Sequence, residues 1–151
     1  QVLDSPQMLE YFHCCRDLGL VVQCHCGFDI GFPGRAPICG PERVARVLRE
    51  VPGLKFIAAH LGGWGQWGGV VENLLGKDVM LDTSMMVHLF ADANAQKILH
   101  GHPTDRLLFA TDWPWLRFED GIGFVRDAHF SSADEAAVLG GNAAKLFGGA
   151  E

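Results

Sequence analysis

The stretch Leu54–His60 has the sequence LKFIAAH, an apolar run that ends at a histidine. Three other stretches end in the same way at an ionisable residue: Leu20–His25 (LVVQCH), Val79–Asp82 (VMLD) and Leu107–Asp112 (LLFATD). Parallel strands that are covered on both faces have continuous apolar sequences, whereas half-exposed strands alternate. The four runs therefore predict four buried parallel strands, each with a reactive side chain at its carboxyl end.

Helical patterns lie between these runs. Pro6 and Pro41 each begin one, and apolar residues recur at helical spacing after both. Alternating helices and strands imply a parallel sheet with right-handed crossovers, so the predicted fold class is α/β. Four βα units are half of a (β/α)8 barrel, which usually needs about 250 residues. We expect residues 1–151 to form a single domain, either a small open sheet or one half of a barrel.

Composition argues against several classes of protein. The chain carries a formal net charge of −6 and has no cluster of Lys and Arg, which disfavours nucleic acid as a partner. No apolar run approaches the roughly 20 residues of a membrane span. The five cysteines lack the paired spacing of a disulfide framework, so we expect reduced thiols and a cytoplasmic protein. Cys24 and Cys26 flank His25 but point away from it on a strand, so we do not expect them to bind metal.

The polar strand ends are candidates for a metal site. In barrels of parallel strands, reactive groups gather at the carboxyl ends of the strands. His25 and Asp112 are suitable metal ligands, and a catalytic zinc takes about three protein ligands plus water. His60 is either a third ligand or a catalytic acid, base or electrophile, and the pattern alone leaves both roles open. We expect a supporting structural role for Asp82.

A second motif competes with the metal site. Gly63–Gly68 (GWGQWG) matches G-x-G-x-x-G, follows a predicted strand and precedes a helix, as in dinucleotide-binding proteins. Asp82, at the end of the next strand, stands where such proteins carry an acidic residue. The motif begins too late after its strand, however, and two Trp side chains crowd it. An NAD(P)-binding module therefore remains an alternative to the metal enzyme.

The ordered set of motifs resembles a known family. The matching stretches are Val21–Gly27, Phe56–Gly63, Asp78–Ser84, Arg106–Trp115 and Asn142–Gly148. Together they are similar to the C-terminal half of amidohydrolase-related proteins, the branch of the amidohydrolase superfamily that includes aminocarboxymuconate-semialdehyde decarboxylase. The resemblance covers nearly the whole chain, in the right order and spacing.

This resemblance implies strands five to eight of a distorted (β/α)8 barrel. It implies that His25 is a metal ligand, that His60 polarises the substrate or positions water, and that Asp112 is both a metal ligand and a proton acceptor. The implied cofactor is a divalent metal, with zinc the first expectation. We expect a small-molecule substrate, bound with the help of Arg35 and Trp113. Self-association into a homo-oligomer remains open.

The chain departs from the family pattern in one respect. The resemblance implies a first-strand His-x-His motif that supplies two more metal ligands, and no such strand is found in this sequence. His100-Gly101-His102 has the spacing but lies at the end of a predicted helix. Because the first residue is Gln1 rather than Met, we expect the N-terminal half of the barrel to precede this stretch. We also expect the stretch alone to be incompletely liganded.

Four functions follow from these observations. The first is a metal-dependent hydrolase that acts on a small molecule through metal-activated water. The runner-up is a non-oxidative, metal-dependent decarboxylase of an unsaturated or aromatic acid. The dinucleotide-binding module is the third. The fourth is a truncated, inactive remnant. Such a remnant would have an edge strand with unpaired backbone groups, and its chains would tend to associate with one another.

Overall fold

Four parallel strands form one sheet in the order β1-β2-β3-β4. The computed structural model describes residues 1–89 and 91–148. The strands are β1 (Val21–Cys24), β2 (Lys55–Ala58), β3 (Met80–Asp82) and β4 (Leu107–Leu108). The α-helices are α1 (Pro6–Asp17), α2 (Pro41–Glu50), α3 (Trp67–Asn73), α4 (Ala93–Gly101), α5 (Phe118–Asp127), α6 (Ser132–Ala136) and α7 (Asn142–Phe147).

The register of the sheet places the strand ends side by side. Cys24 pairs with Ala58, Ala58 pairs with Leu81, and Asp82 pairs with Leu108. All four strands point the same way, so the residues that follow them lie along one edge of the sheet. The prediction of four parallel strands in chain order is therefore confirmed.

β4 is shorter than its apolar run predicts. The backbone N–H of Phe109 donates to the carbonyl of Val138 at 3.0 Å, and the N–H of Ala110 donates to Thr83 Oγ1 at 3.2 Å. These contacts replace the pairing with β3 after Leu108. The last three residues before Asp112 therefore approach the site as a loop rather than as a strand.

The core lies between the sheet and the helices that follow β1, β2 and β3. Fully buried side chains from α2, α3 and α4 meet side chains of the strands there; they include Val44, Val47, Val70, Ile98, Phe56, Leu81 and Leu107. Burial of a side chain of this size contributes about 1.5–3 kcal/mol. The expectation of strands covered on both faces holds for β2 and β3. It does not hold for β1, because Gln23 is exposed.

The C-terminal helices form one continuous segment. A single π-helical turn, Ala137–Gly141, joins α6 to α7. The side-chain amide of Asn142 donates to the carbonyls of Thr104 and Leu107 at 2.8 and 2.9 Å. This segment is thereby tied to the start of β4. Within the residues that the structure describes, no helix is long and apolar enough to cross a membrane.

Candidate active site

Three of the residues singled out in the sequence border one cleft. His25, His60 and Asp112 line a cavity of about 350 Å3 at the carboxyl end of the sheet, together with Gln23 and Ser84. His25 and Asp112 are exposed, whereas His60 is 6% exposed. The cleft thus presents two accessible side chains of types that bind metal ions, and one shielded imidazole.

Two of these residues have left-handed backbone conformations. His60 has φ +60° and Asp112 has φ +62°, values that cost a residue with a side chain about 1–3 kcal/mol. At His60 the strain is offset by Asp82, whose Oδ1 accepts from the His60 N–H at 3.0 Å and whose carbonyl accepts from the Leu61 N–H at 2.8 Å. The turn after β2 is therefore held by the end of β3.

The two imidazoles contact each other directly. His25 Nδ1 lies 2.9 Å from His60 Nε2, and the rings meet edge to face with centroids 4.7 Å apart. His25 Nε2 lies 3.1 Å from the carbonyl oxygen of Phe28. Both nitrogens of His25 therefore have polar neighbours, and a metal ion on either one would replace a hydrogen bond.

The buried carboxylate of Asp82 holds residues of the cleft in place through hydrogen bonds. Its side chain is 1% exposed and accepts hydrogen bonds from the backbone of His60, from the backbone and hydroxyl of Ser84, and from Gln23 Nε2 at 3.0 Å. The supporting role expected of Asp82 is consistent with these contacts. Four donors around one carboxylate also compensate for the cost of burying its charge.

Sequence reasoning missed Gln23 and Ser84. Gln23 stands two residues before His25, so the alternation of a strand puts both side chains on the same face. A polar residue inside an apolar run was the available signal. Ser84 is two residues beyond Asp82, and its contact with His60 has no local sequence signal, because the two are 24 positions apart.

Burial lowers the pKa of His60. Desolvation is the main cause, the positive charge on a protonated His25 acts in the same direction, and the carboxylate of Asp82 opposes both. The neutral imidazole is therefore the stable form of His60 at neutral pH. A neutral imidazole can accept a proton or bind a metal ion, as the candidate roles require.

One wall of the cleft is apolar and rich in aromatic side chains. A second cavity of about 350 Å3 shares His25, His60 and Asp112 with the first. Its remaining lining includes Phe28, Ile30, Trp64, Met85 and Trp115. Polar groups on one side and flat apolar groups on the other suit a small, planar, polar ligand.

The two residues expected to bind substrate lie outside this cleft. Arg35 borders a neighbouring cavity of about 430 Å3 that also includes His25, and its guanidinium lies 5.1 Å from the ring of Phe32. Trp113 is 65% exposed and stacks on Phe118, with ring centroids 6.1 Å apart. Trp64 and Trp115 line the cleft instead, while the roles of Arg35 and Trp113 stay predictions.

The donor set fits part of a metal site. Imidazole nitrogen and carboxylate oxygen are ligands that zinc and other first-row divalent ions accept. Within residues 1–89 and 91–148, however, no three His, Cys, Asp or Glu side chains lie close enough together to hold an ion. His25 and Asp112 therefore stand as two candidate ligands. All five cysteines are free, and contact with Cys39 and burial raise the pKa of the Cys24 thiol, which disfavours the thiolate that metals bind.

Three backbone N–H groups of the glycine-rich loop already donate to carbonyls of this chain. The N–H groups of Gly63, Trp64 and Gln66 donate to the carbonyls of His60, Cys26 and Gly63, respectively. A dinucleotide fingerprint needs such N–H groups for the phosphates. These contacts and the fold argue against the dinucleotide-binding alternative.

Comparison with known proteins identifies the family and the fold. The family model described as Amidohydrolase matches residues 2–149. Dihydroxybenzoic acid decarboxylase from Polaromonas sp. JS666, solved with manganese and the inhibitor 2-nitroresorcinol, superposes with a TM-score of 0.71 at 18% identity, over 97% of this chain and 55% of that one. No curated protein sequence matches the chain.

Two further solved structures show the same fold. An uncharacterised TIM-barrel protein from Bordetella bronchiseptica gives a TM-score of 0.71 at 21% identity, over 99% of this chain and 53% of that one. A candidate 2-pyrone-4,6-dicarboxylic acid hydrolase from Pseudomonas putida gives 0.68 at 19% identity, over 100% and 60%. The chain thus spans little more than half the length of these barrels, and its fold is a partial barrel. With a family model matched over nearly its whole length, the chain belongs to the amidohydrolase family.

Proposed function

We propose that the protein is a metal-dependent hydrolase of a small molecule. The observation that carries this proposal is the meeting of His25, His60 and Asp112 in one cleft at the carboxyl end of parallel strands. His25 and Asp112 would hold a divalent ion, with zinc as the first candidate. The resemblance to the family implies two further ligands from a first-strand His-x-His, so we place this stretch at strands five to eight of the barrel.

Each residue has a distinct part in the proposed reaction. When bound, a divalent ion would supply Lewis acidity, which polarises a substrate oxygen and lowers the pKa of water. The exposed carboxylate of Asp112 would accept the proton that the attacking water loses. His60, whose Nε2 faces His25, would exchange a proton with the substrate or orient it. Arg35 and Trp113 remain proposed contacts to the parts of the substrate that do not react.

A second candidate is non-oxidative decarboxylation of an aromatic or unsaturated acid. The aromatic wall formed by Phe28, Trp64 and Trp115 favours it, because flat rings stack well on such side chains. Here His60 or Asp112 would deliver a proton to carbon rather than accept one from water. Several proteins of similar fold are decarboxylases by name, including 5-carboxyvanillate decarboxylase from Sphingomonas paucimobilis.

The cellular setting is part of the proposal. The five free cysteines support a reducing compartment, which we take to be the cytoplasm. Among the described strands, β1 and β4 each have a neighbour on one side only. Such edges can pair with further strands of the same protein or with a second copy.

The two reactions can be separated by isotope labelling. The protein, loaded with zinc or manganese, is incubated with 2-pyrone-4,6-dicarboxylate and 2,6-dihydroxybenzoate in 18O-water and in deuterium oxide. Hydrolysis puts 18O into the product, whereas decarboxylation releases carbon dioxide and puts deuterium on carbon. We expect the His60→Gln and Asp112→Asn variants to lose about 100-fold or more in rate. Failure of the metal-loaded protein to convert either of these acids or any related carboxylate would count against both functions.

A further inference from the structure

Met85 has a backbone conformation that methionine rarely adopts. Its φ is +64°, in the left-handed region that favours glycine. Met85 lies in the turn after β3, where the backbone N–H of Met86 donates to the carbonyl of Thr83 at 3.4 Å. It is therefore the third residue of a four-residue turn, the position that glycine or asparagine usually occupies when φ is positive. The methionine side chain stands at this position at a cost in stability.

Three of the residues with a left-handed backbone meet at one place. His60, Met85 and Asp112 follow β2, β3 and β4, respectively, and all three line the second cavity of about 350 Å3. Among the described residues, the other two non-glycine residues with positive φ have different surroundings: Leu61 is fully buried in the core, and His129 is exposed after α5. Met85 therefore shares both its strain and its position with the two candidate catalytic residues.

The chemistry of the thioether suits the rest of this cavity. Phe28, Trp64 and Trp115 line the cavity together with Met85, whose side chain is half-buried. Methionine is unbranched and polarisable, and its sulfur makes favourable contacts with the edges of aromatic rings. A cavity of about 350 Å3 is at the small end of the range for ligand pockets, so a ring inside it lies within contact of the walls.

From the strained turn and the shared cavity we infer that Met85 is a specificity-determining residue, whose thioether packs against a planar, unsaturated ring of the substrate. The inference rests on the proposed function, because it concerns the substrate of the same cleft, and it holds for either of the two candidate reactions. The thioether does not titrate, so Met85 takes no part in proton transfer. Its contribution is to favour a flat ring over a thicker, saturated one.

Methyl NMR measures this contact without any assay of activity. The four methionines are labelled with 13C at their methyl groups, and the signal of Met85 is identified by its loss in Met85→Leu. The protein is titrated, in the presence of zinc, with 2,6-dihydroxybenzoate and with cyclohexanecarboxylate, a saturated acid. We expect the aromatic ring to shift the Met85 methyl signal, and the saturated ring to shift it much less. Met86 is the internal control, because it is fully buried in the core and its signal should stay in place.

Two substitutions separate the backbone strain from the side chain. Met85→Gly and Met85→Ala both remove the thioether, but only glycine relieves the left-handed conformation. We expect Met85→Gly to melt about 2–4 °C higher than Met85→Ala, and both variants to bind 2,6-dihydroxybenzoate about 3- to 10-fold more weakly than wild type. His129→Gly and His129→Ala are the matched controls, because His129 has φ +55° outside the cleft. They should differ in melting temperature in the same way and leave binding unchanged.

Several results would overturn the inference. These are a failure of the aromatic acid to bind, an unshifted Met85 signal at saturation, equal affinity in wild type and Met85→Gly, or equal melting temperatures for Met85→Gly and Met85→Ala. The proposed function fails separately. If the ring contacts Met85 but the metal-loaded protein converts no carboxylate, the role of Met85 in ring binding stands and the proposed function is wrong. If the protein is active and Met85→Gly leaves KM and substrate preference unchanged, the function stands and the role of Met85 is wrong.

Discussion

The backbone N–H of His60 donates a 3.0 Å hydrogen bond to Oδ1 of Asp82, which joins the turn after one strand to the end of the next. His60 is in a left-handed conformation at this point. The Asp82 carboxylate accepts four hydrogen bonds, and these bonds offset the cost of the left-handed conformation. The geometry of the candidate site and the stability of the fold therefore depend on the same buried group.

Removal of the Asp82 side chain should destabilise the protein strongly. Asp82→Ala leaves the N–H groups of His60 and Ser84 without their acceptor, so we expect the free energy of unfolding to fall by about 3 kcal/mol or more. Asp78→Ala is the control, because that carboxylate is 88% exposed and, among the described residues, forms an ion pair with the half-buried Arg106. It should cost about 0.5 kcal/mol or less. Urea denaturation measures both, and equal costs would contradict the role given to Asp82.

The metal site gives a second prediction. In a protein that also carries the proposed first-strand ligands, His25→Ala should weaken zinc or manganese binding by about 100-fold or more, since loss of even an indirect partner of a metal ligand costs 10–100-fold. His100→Ala removes an exposed histidine outside the cleft and should leave the metal content unchanged. Elemental analysis after dialysis measures the occupancy. We also expect the 151-residue stretch alone to retain less than one ion per chain. One tightly held ion per chain would contradict the expectation that this stretch has too few metal ligands.

The order of the strands and the position of the site could be predicted from the sequence. Continuous apolar runs carry the information for buried parallel strands, and three of the four runs end at a residue that lines the cleft. His25, His60 and Asp112 were found in this way without any knowledge of contacts. The rule works because the carboxyl ends of parallel strands necessarily share one edge of the sheet.

The partners of these residues could not be predicted in the same way. The bond from Gln23 to Asp82 spans 59 positions and crosses β2, so it depends on the register of three strands at once. The early end of β4 depends on a contact with Val138 in the π-helical turn. Neither has a local signal, because both are set by how distant elements pack.

Acid should destabilise the protein partly through His102. Burial lowers the pKa of this histidine. The hydrogen bond to the Val79 carbonyl raises the pKa, and the charge of the nearby Arg106 lowers it further. His102 Nε2 donates to Val79 while Nδ1 accepts from the Gly76 N–H, so the folded state holds the neutral ring. The unfolded chain takes up a proton near pH 6.5, above the folded pKa, and stability is therefore lost as the pH falls below about 6.5.

The variant His102→Gln isolates this effect. It should be less stable than wild type at pH 8 by about 1–2 kcal/mol, yet lose less stability between pH 7 and pH 5. His100→Gln, in the last turn of α4 and exposed, should keep the wild-type slope. Urea denaturation across this pH range supplies the comparison. Identical slopes for wild type and His102→Gln would show that His102 does not contribute.

Gly27 fixes the position of the loop that follows His25. Its φ is +93°, and a Cβ atom there would lie 2.2 Å from the backbone nitrogen of Trp64. Gly53 also has a positive φ, +83°, but a Cβ atom there would meet nothing within 4 Å. Gly53→Ala should therefore cost only the backbone strain, about 1–2 kcal/mol. Gly27→Ala should cost about 3 kcal/mol or more, since the bridge between Gly27 and Trp64 must open.

The same Gly27→Ala variant should weaken metal binding, because the loop carries the Phe28 carbonyl that contacts His25. Equal costs at the two glycines, with metal binding unchanged in both, would show that the close approach to Trp64 does not hold the site in place.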